Sequence, residues 1–504
     1  MERKVTVLGL DGLSWRYLKK IVDAGIMPYT RALLQKSLNV TLYSYPPTTP
    51  PSWTSIMTGV NPGKHGVMGF LHFDRAKCME ILTSSITVEH PRIYEMLAMN
   101  NIESIIINPI MNYPNIPLSK VRNIDHLFFT PKTICHPRDM CKYVKNLPPR
   151  PKTEHCEEFV DFMYACVESY LDITEEILNR FNWRLFWLNI NVPDGICHKC
   201  DFDIFGEIKS FEQKIYKLVD KLVKLLNEAA DMFLIVSDHG FSTYDKLISI
   251  NDVLFNKGYI KLTTDKRRML MSHSELAAKR KRDKHIKRLV IHPWLLKILT
   301  SKLLYSFSRS VKHLCERIIG KKIKLTSNID IISSKAFLLE RFSYGVLVKN
   351  QDDIPVVLEI LNKIEGIKWA RKRENVFWGP YTSRALEVMF LPDLDRGYVH
   401  ADACIRGKVH TKGRFKGHHT DGVLLVNLRS ADKTLKANNK QITLPNFIVA
   451  SLIMWFLDQP LPYDTDALPY LEKLVYEKNF SFRDYTSKWK ILKRAMMIRS
   501  RLTN

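Results

Sequence analysis

Three stretches of this 504-residue chain run from an apolar segment straight into a carboxylate. VTVLGLDG reaches Asp11, LFWLNINVPDG reaches Asp194, and MFLIVSDHG reaches Asp238 with His239 beside it. Three acids brought to one place repel one another unless a cation lies between them. His198 follows Asp194 by four residues, a spacing that sets both side chains on one face of a helical turn. GRFKGHHTDGVLLV adds His418 and His419 just before another apolar run. Aspartate oxygens combined with imidazole nitrogens suit zinc or manganese. Taken singly, each Asp is an ordinary turn or helix-cap residue and each His an ordinary surface residue. The grouping, with acids at three strand ends, is what points to a metal.

SYPPTTPPSWTSIMTG, Ser44 to Gly59, is a second kind of motif, with four prolines around Thr48 and Thr49. The prolines and the closing glycine predict a short helix over 51–58. Thr49 then falls at or just before its N-terminus, where free N–H groups and the helix dipole favour an anion. A hydroxyl held there beside a metal can be activated to attack phosphorus. As a plain helix cap it would be worth about 1 kcal/mol and carry no chemistry.

The elements that must position these residues are legible in the apolar pattern. Buried-strand runs are read at 5–10, 104–110, 185–192, 232–236 and 423–426, with a helix over 208–229 carrying Ile215, Leu218, Leu222 and Leu225 on one side. Strands alternating with helices predict an α/β fold, a mostly parallel sheet covered on both faces. In such sheets ligands bind at the carboxyl ends of strands, where the three aspartates stand. The apolar run at 446–462 is too short to span a membrane and reads as a buried helix. The first apolar run reads as a strand and not as a secretory segment.

Hydrophobic residues at 45% and charged residues at 25% are globular values. The net charge of +24 implies an anionic partner. Residues 266–324 hold 18 Lys and Arg against 3 acids, so this one segment accounts for most of it. The same run carries Trp294, Leu295, Leu299, Leu303, Leu304 and Tyr305, a basic amphipathic pattern that suits an anionic membrane surface, with nucleic acid or another polyanion as the rival partner and a plain solvated helical surface as the alternative without one. We read 262–409 as an inserted α+β cap, and 1–261 with 410–504 as the core that contains it. Nine scattered cysteines argue against a disulfide framework and for a reducing, cytoplasmic compartment, with peripheral attachment to the membrane's cytoplasmic face. Cys197 and Cys200 form the one close pair around His198, without the second pair that a zinc ribbon needs.

The motifs GLDG, TTPPSWTSIMTGVNPGKHGV, NVPDGICHK, VSDHGF and GHHTDGVLL occur in this order from Leu10 to Leu425. In that order they resemble the type I phosphodiesterase/nucleotide pyrophosphatase family of the alkaline phosphatase superfamily, in its cytosolic archaeal-type form. The resemblance implies an alkaline-phosphatase-like sandwich and a hydrolase that cleaves phosphate diesters or monoesters with two divalent metal ions, zinc or manganese. It implies Thr49 as nucleophile, passing through a phospho-threonine intermediate. It places Asp11, Thr49, Asp238 and His239 on one metal, and Asp194, His198 and His418 on the other. His418 is preferred to His419 because Asp421 then stands in the family's His-x-x-Asp register. Substrates of phosphorylated small-molecule or lipid-head-group type follow. The chain departs from the secreted members at Ser52, where they carry a phosphate-binding Asn; Ser52 is the substrate-binding candidate there through its hydroxyl, and the preference between diester and monoester is not fixed by the motif. A phosphotransferase or mutase of the superfamily, or a silent binder of polyanions, are the alternatives.

Overall fold

The structure is a computed structural model that describes residues 2–128, 130, 132–151, 155–265, 267–270, 288–289, 324–325, 329–429, 435–436 and 442–502. Most of the basic run 266–324, on which the membrane expectation rests, lies outside the described residues. The chain forms two compact units: Met1–Val67 with Ser84–Ser242 and Lys416–Asn504, and Met68–Thr83 with Thr243–Phe415. Among the described residues, no helix is long and apolar enough to cross a membrane.

The first unit is built on a nine-stranded sheet. Its strands are β1 (Val5–Leu10), β2 (Leu38–Tyr43), β3 (Ser104–Ile107), β4 (Val121–Asp125), β5 (Ile134–His136), β6 (Leu185–Ile190), β7 (Met232–Val236), β8 (Asp421–Leu428) and β9 (Ile442–Pro445). The order across the sheet is β9-β2-β8-β7-β1-β6-β3-β4-β5. β1 pairs in parallel with β6 and β7, and β3 in parallel with β6 and β4. β8 runs antiparallel between β2 and β7, and β5 runs antiparallel along the β4 edge. The sheet is therefore mostly parallel and its carboxyl edge is shared by β1, β6 and β7.

Alternation along β1 shows why both faces are covered. Leu8 and Leu10 join one core with helices α1 (Trp15–Asp23), α3 (Cys156–Arg180) and α5 (Ser210–Glu228), whereas Val5 and Val7 join the other core with helices α2 (Thr49–Thr58) and α6 (Ile448–Phe456). α5 packs through Ile215, Val219, Leu222 and Leu226; of the stripe read from sequence, Ile215 and Leu222 are buried, whereas Leu218 and Leu225 lie half-buried at its edge. α6 is buried along its whole length.

Several boundaries differ from the sequence reading. The strand expected over 104–110 stops at Ile107, because Asn108 and Met111 take positive φ angles of 55° and 54°. The Asn108 side chain then accepts from the backbone N–H groups of His126 and Leu127. The strand at 185–192 stops at Ile190, where Asn191 turns to cap Gly195 through its side-chain oxygen. β8 runs further in both directions than 423–426. It can lie against β7 because Gly422 has no side chain; a Cβ there would stand 2.4 Å from the Ser237 carbonyl. The helix expected over 51–58 starts at Thr49.

The cysteine expectation is corrected. Cys135 pairs with Cys141 and Cys156 with Cys200, at Cα separations of 5.4 and 4.7 Å. Spacing along the chain says little about proximity: Cys156 and Cys200 stand 44 residues apart but at facing helix ends. Cys200 is thereby unavailable to a zinc knuckle with the buried Cys197, and the cysteine-count argument for a reducing compartment falls away.

The second unit is α+β by itself. Four antiparallel strands lie in the order Ala336–Leu338, Gly345–Val348, Val388–Pro392, Ile367–Lys372, with the helix Ile354–Asn362 packed on the last two. Its compact limits take in Met68–Thr83 and begin at Thr243, wider than the 262–409 span read from composition.

Candidate metal centre and nucleophile

The carboxyl ends of β1, β6 and β7 deliver the acids to one place. Asp11 follows β1, and its backbone N–H donates to the Ile190 carbonyl at the end of β6. The Asp194 N–H donates back to the Asp11 carbonyl at 3.0 Å. The two turns can touch because Gly12, at φ +76°, carries no Cβ; one would stand 2.8 Å from the Asp194 Cβ. Asp238 and His239 follow β7, and the Ser237 hydroxyl donates to the His239 carbonyl at 2.7 Å.

Two sets of ligand atoms result. Asp11, Asp238 and His239 form one, Asp194, His198 and His418 the other, and in each set the donor atoms lie within 4.8 Å of one another. In the first, His239 Nε2 is 3.2 Å from Asp238 Oδ2 and 3.7 Å from Asp11 Oδ1. In the second, Asp194 Oδ1 is 3.3 Å from His198 Nε2 and 3.2 Å from His418 Nε2, and the two imidazole nitrogens are 2.9 Å apart. The His239 and His418 rings stack at 4.0 Å, so the sets are neighbours. Asp194 and His198 ride on α4 (Asp194–Lys199), and His418 on the strand His410–His419, its Nδ1 fixed by the Pro47 carbonyl at 2.8 Å. His419 takes another direction, accepting from the Asp421 N–H.

Thr49 is the first residue of α2 and is buried. Its hydroxyl oxygen lies 3.3 Å from His239 Nε2, at the rim of the first set. Thr48 is the cap residue before it, and its carbonyl accepts from Ser52 N–H. Pro50 and Pro51 carry no N–H, so the helix end offers an anion fewer backbone donors than the sequence motif led us to expect. Cations and the dipole must do more of that work. The Ser52 hydroxyl donates to the Pro46 carbonyl at 3.0 Å and so braces the loop internally.

Sequence reasoning missed the braces of this loop. Asn446 is buried and its amide donates to the Ser44 hydroxyl at 2.9 Å and the Ser52 carbonyl at 3.3 Å, while Ser44 in turn donates to the Asp238 carbonyl. The signal, an Asn between a proline and an apolar helix, is too common to single out. Phe241, also missed, sets its ring edge-on to His198 at 4.8 Å.

The electrostatics of the two sets differ. Burial, followed by the neighbouring charges of Asp238 and Asp194, holds Asp11 well above the usual carboxylate range. Burial and Asp194 do the same to Asp238. Burial also acts on Asp194, but His198 and His418 outweigh it and hold that carboxyl well below the usual range. Burial holds His239 well below the ordinary imidazole value, with His418 adding to the effect. Burial likewise lowers His418. Asp11 Oδ1, Asp194 Oδ1 and Asp238 Oδ2 are buried without a hydrogen-bond partner. Neutral imidazoles and orphaned carboxylate oxygens are what a divalent cation requires. Contacts near 3 Å also match the edge of a tetrahedron around zinc, about 3.3 Å for bonds of about 2.0 Å. The residues present therefore fit the metals.

Comparison with known proteins follows the same lines. The family model for type I phosphodiesterase / nucleotide pyrophosphatase matches residues 5–302. None of the curated proteins matches the sequence. Among solved structures, phosphonoacetate hydrolase from Sinorhizobium meliloti, in complex with phosphonoformate, is similar with a TM-score of 0.57 at 13% identity, over 90% of this chain and 96% of that one. The murine ectonucleotide pyrophosphatase / phosphodiesterase 5, an inactive form in complex with AMP, gives 0.52 at 14% identity, over 94% and 100%. Its human counterpart gives 0.50 at 14% identity over the same shares. At these identities the likeness shows the fold: an α/β architecture with a large mixed sheet flanked by helices.

Proposed function

We propose, from the premise that the chain belongs to the type I phosphodiesterase / nucleotide pyrophosphatase family and is a hydrolase of phosphoester bonds, that it works with two divalent metal ions and a threonine nucleophile. The observation that carries this reading is the Thr49 hydroxyl, 3.3 Å from His239 and beside two adjoining sets in which each acid keeps one buried oxygen without a hydrogen-bond donor. Asp11, Thr49, Asp238 and His239 would hold one ion; Asp194, His198 and His418 would hold the other. When bound, the ions supply Lewis acidity, favouring the ionised Thr49 hydroxyl and neutralising phosphate oxygens.

The chain's own groups do the rest. α2 fixes Thr49 at its first turn, so the hydroxyl approaches phosphorus along one line. Thr49 Oγ1 bonds to phosphorus as the leaving oxygen departs on the opposite side. Water then cleaves the phospho-threonine and restores the hydroxyl. Asn446, Ser44 and Ser52 keep the loop from moving during both steps.

A small phosphorylated or phosphonylated anion, free or as a lipid head group, suits this site. Proteins of the same fold hold AMP and phosphonoformate, which supports that class. Zinc is the metal proposed, with manganese second, from the His-rich second set. We propose the basic run 266–324 as the contact with an anionic membrane face, with 262–409 as the cap that carries it. The test is a screen of purified protein on mono- and diester nitrophenyl phosphates with zinc, manganese and magnesium, before and after chelation. Turnover that requires added metal is expected. Undiminished activity in exhaustively chelated, metal-free protein overturns the reading.

A further inference from the structure

The second ligand set depends on a very short helix. α4 spans six residues, too few to be stable by itself. It carries Asp194 at its start and His198 at its end, and His198 is the one member of the set exposed to solvent. The start of α4 is pinned by Gly195 N–H donating to Asn191 Oδ1 at 3.1 Å, and by Phe159 packed against Gly195. Its far end is pinned at Cys200, two residues beyond His198. The Cys200 sulfur is bonded to Cys156 at the N-terminus of the 25-residue α3. The Cys200 carbonyl accepts from Lys416 Nζ at 2.5 Å, and Lys416 stands two residues before His418 on its strand. Cys156–Cys200 and Lys416 thus tie the exposed ligand to the scaffold and to the strand of its partner ligand.

We propose that the Cys156–Cys200 cystine, supported by Lys416, is a positioning element for the second metal: intact, it holds His198 in register with Asp194 and His418, and broken, it releases that ion selectively. The inference rests on the two-metal reading above. The first set meets α4 at its start, where the Asp194 N–H donates to the Asp11 carbonyl, away from the Cys200 end that the cystine holds, so its affinity should follow the cystine far less. Reduction by a phosphine is balanced: the S–S bond breaks, two thiols form with protons from water, and the phosphine takes the water oxygen as phosphine oxide.

The test is zinc and cobalt titration of the full chain against a chromophoric chelator, in three states. These are the oxidised protein, the phosphine-reduced protein freed of reductant, and the Cys156→Ser/Cys200→Ser variant. Near-UV circular dichroism checks the fold of each, and peptide mapping checks the Cys156–Cys200 link. Two sites are expected in the oxidised protein. Breaking the cystine should weaken one at least tenfold and leave the other within twofold, with loss of the visible cobalt band of the weakened site. Reoxidation should restore both, and Lys416→Met should weaken the same site by a smaller factor. Should the variant fail to fold, the reduced wild-type chain gives the same reading. Two unchanged sites in the reduced protein, an equal loss at both, or no Cys156–Cys200 link in aerobically purified protein overturns the proposal. Oxidised protein that binds no metal overturns the two-metal reading, and this inference with it.

Discussion

The two ligand sets stand one ring stack apart, yet they solve opposite electrostatic problems. The set at Asp11, Asp238 and His239 is fully buried, and its two carboxyls are pushed up by burial and by neighbouring carboxylates, Asp238 and Asp194 acting on Asp11 and Asp194 on Asp238. The set at Asp194, His198 and His418 has one acid between two imidazoles, and its carboxyl is pulled down. The first set is at odds with itself until a cation arrives, whereas the second is self-paired and partly open to water. Strength of need and ease of access are therefore divided between them. The buried set should dominate how metal affects stability, and the open set should dominate exchange of the ion.

The largest effect expected is on the group between the sets and the substrate. Thr49→Ala should lower turnover of a nitrophenyl phosphate ester by at least about 10³-fold with the fold intact, since it removes the hydroxyl that stands 3.3 Å from His239 Nε2. Thr49→Ser should retain part of the activity, and Thr48→Ala should change it by less than about tenfold. A fully active Thr49→Ala protein would move the nucleophile to another residue.

Next come variants that set one ligand group against the other. Asp238→Asn removes a carboxyl whose ionisation burial opposes, so the chelated variant should melt a few degrees above chelated wild type at pH 8, while losing most of the stabilisation that zinc provides. His198→Ala, at the exposed ligand, should leave the chelated melting temperature nearly unchanged and lower bound zinc from two ions to one. Thermal melts with parallel metal analysis check both. Equal effects of the two variants on chelated protein would erase the distinction.

Asp125 sharpens the comparison, because it is a buried acid at the end of β4 with no ligand set around it. Burial pushes its carboxyl up to about 7 despite the nearby Arg150, and both its oxygens lack hydrogen-bond partners. In the folded chain it keeps a proton that the unfolded chain has released above about pH 4. The unfolded state binds fewer protons across that window, so stability falls as pH rises from about 4 to 7. Asp125→Asn should therefore gain on wild type by up to about 4 kcal/mol above pH 7 and by nothing at pH 4. Urea titrations at the two pH values check it, and metal should not alter the outcome. Asp194 has the opposite sign: its contribution is present above the usual carboxylate pKa and lost as pH falls below it.

The smallest effect is expected at Ser52. Its hydroxyl is committed to the Pro46 carbonyl, so Ser52→Ala should cost about 1 kcal/mol of stability and change kcat/KM by less than tenfold. A loss of about a hundredfold would mean that the hydroxyl turns toward the substrate.

How much of this was readable beforehand follows from the range of each interaction. β1, β7 and α5 were legible because burial on known faces dictates their residues locally. The aspartates were legible because three apolar runs end on the same residue type. The insertion of β8 between β2 and β7 was not, since it depends on Gly422 meeting Ser237, nearly 200 residues away in sequence. Nor was the cystine at Cys200, because side chains that meet through tertiary packing leave no mark on local spacing. The choice between His418 and His419 rested on resemblance alone; strand alternation, which sends neighbouring side chains to opposite faces, is the physical ground for their different surroundings.

The place of β8 has a consequence for how the chain comes into being. β2 comes early in this sequence and β8 late, yet among the described strands it is β8 that joins β2 and β9 to β7 and the strands beyond it. Until more than four hundred residues have left the ribosome, β2 and β7 both present open hydrogen-bonding edges. His418 is added just ahead of β8, so the last ligand of the open set and the closing strand emerge together. A nascent chain must therefore be kept from pairing with its neighbours for most of its synthesis, and late closure of so distant a contact is slow. Dependence on chaperones during translation, and aggregation of chains that stop before residue 421, are the cost of setting the closing strand so far along the chain from β2.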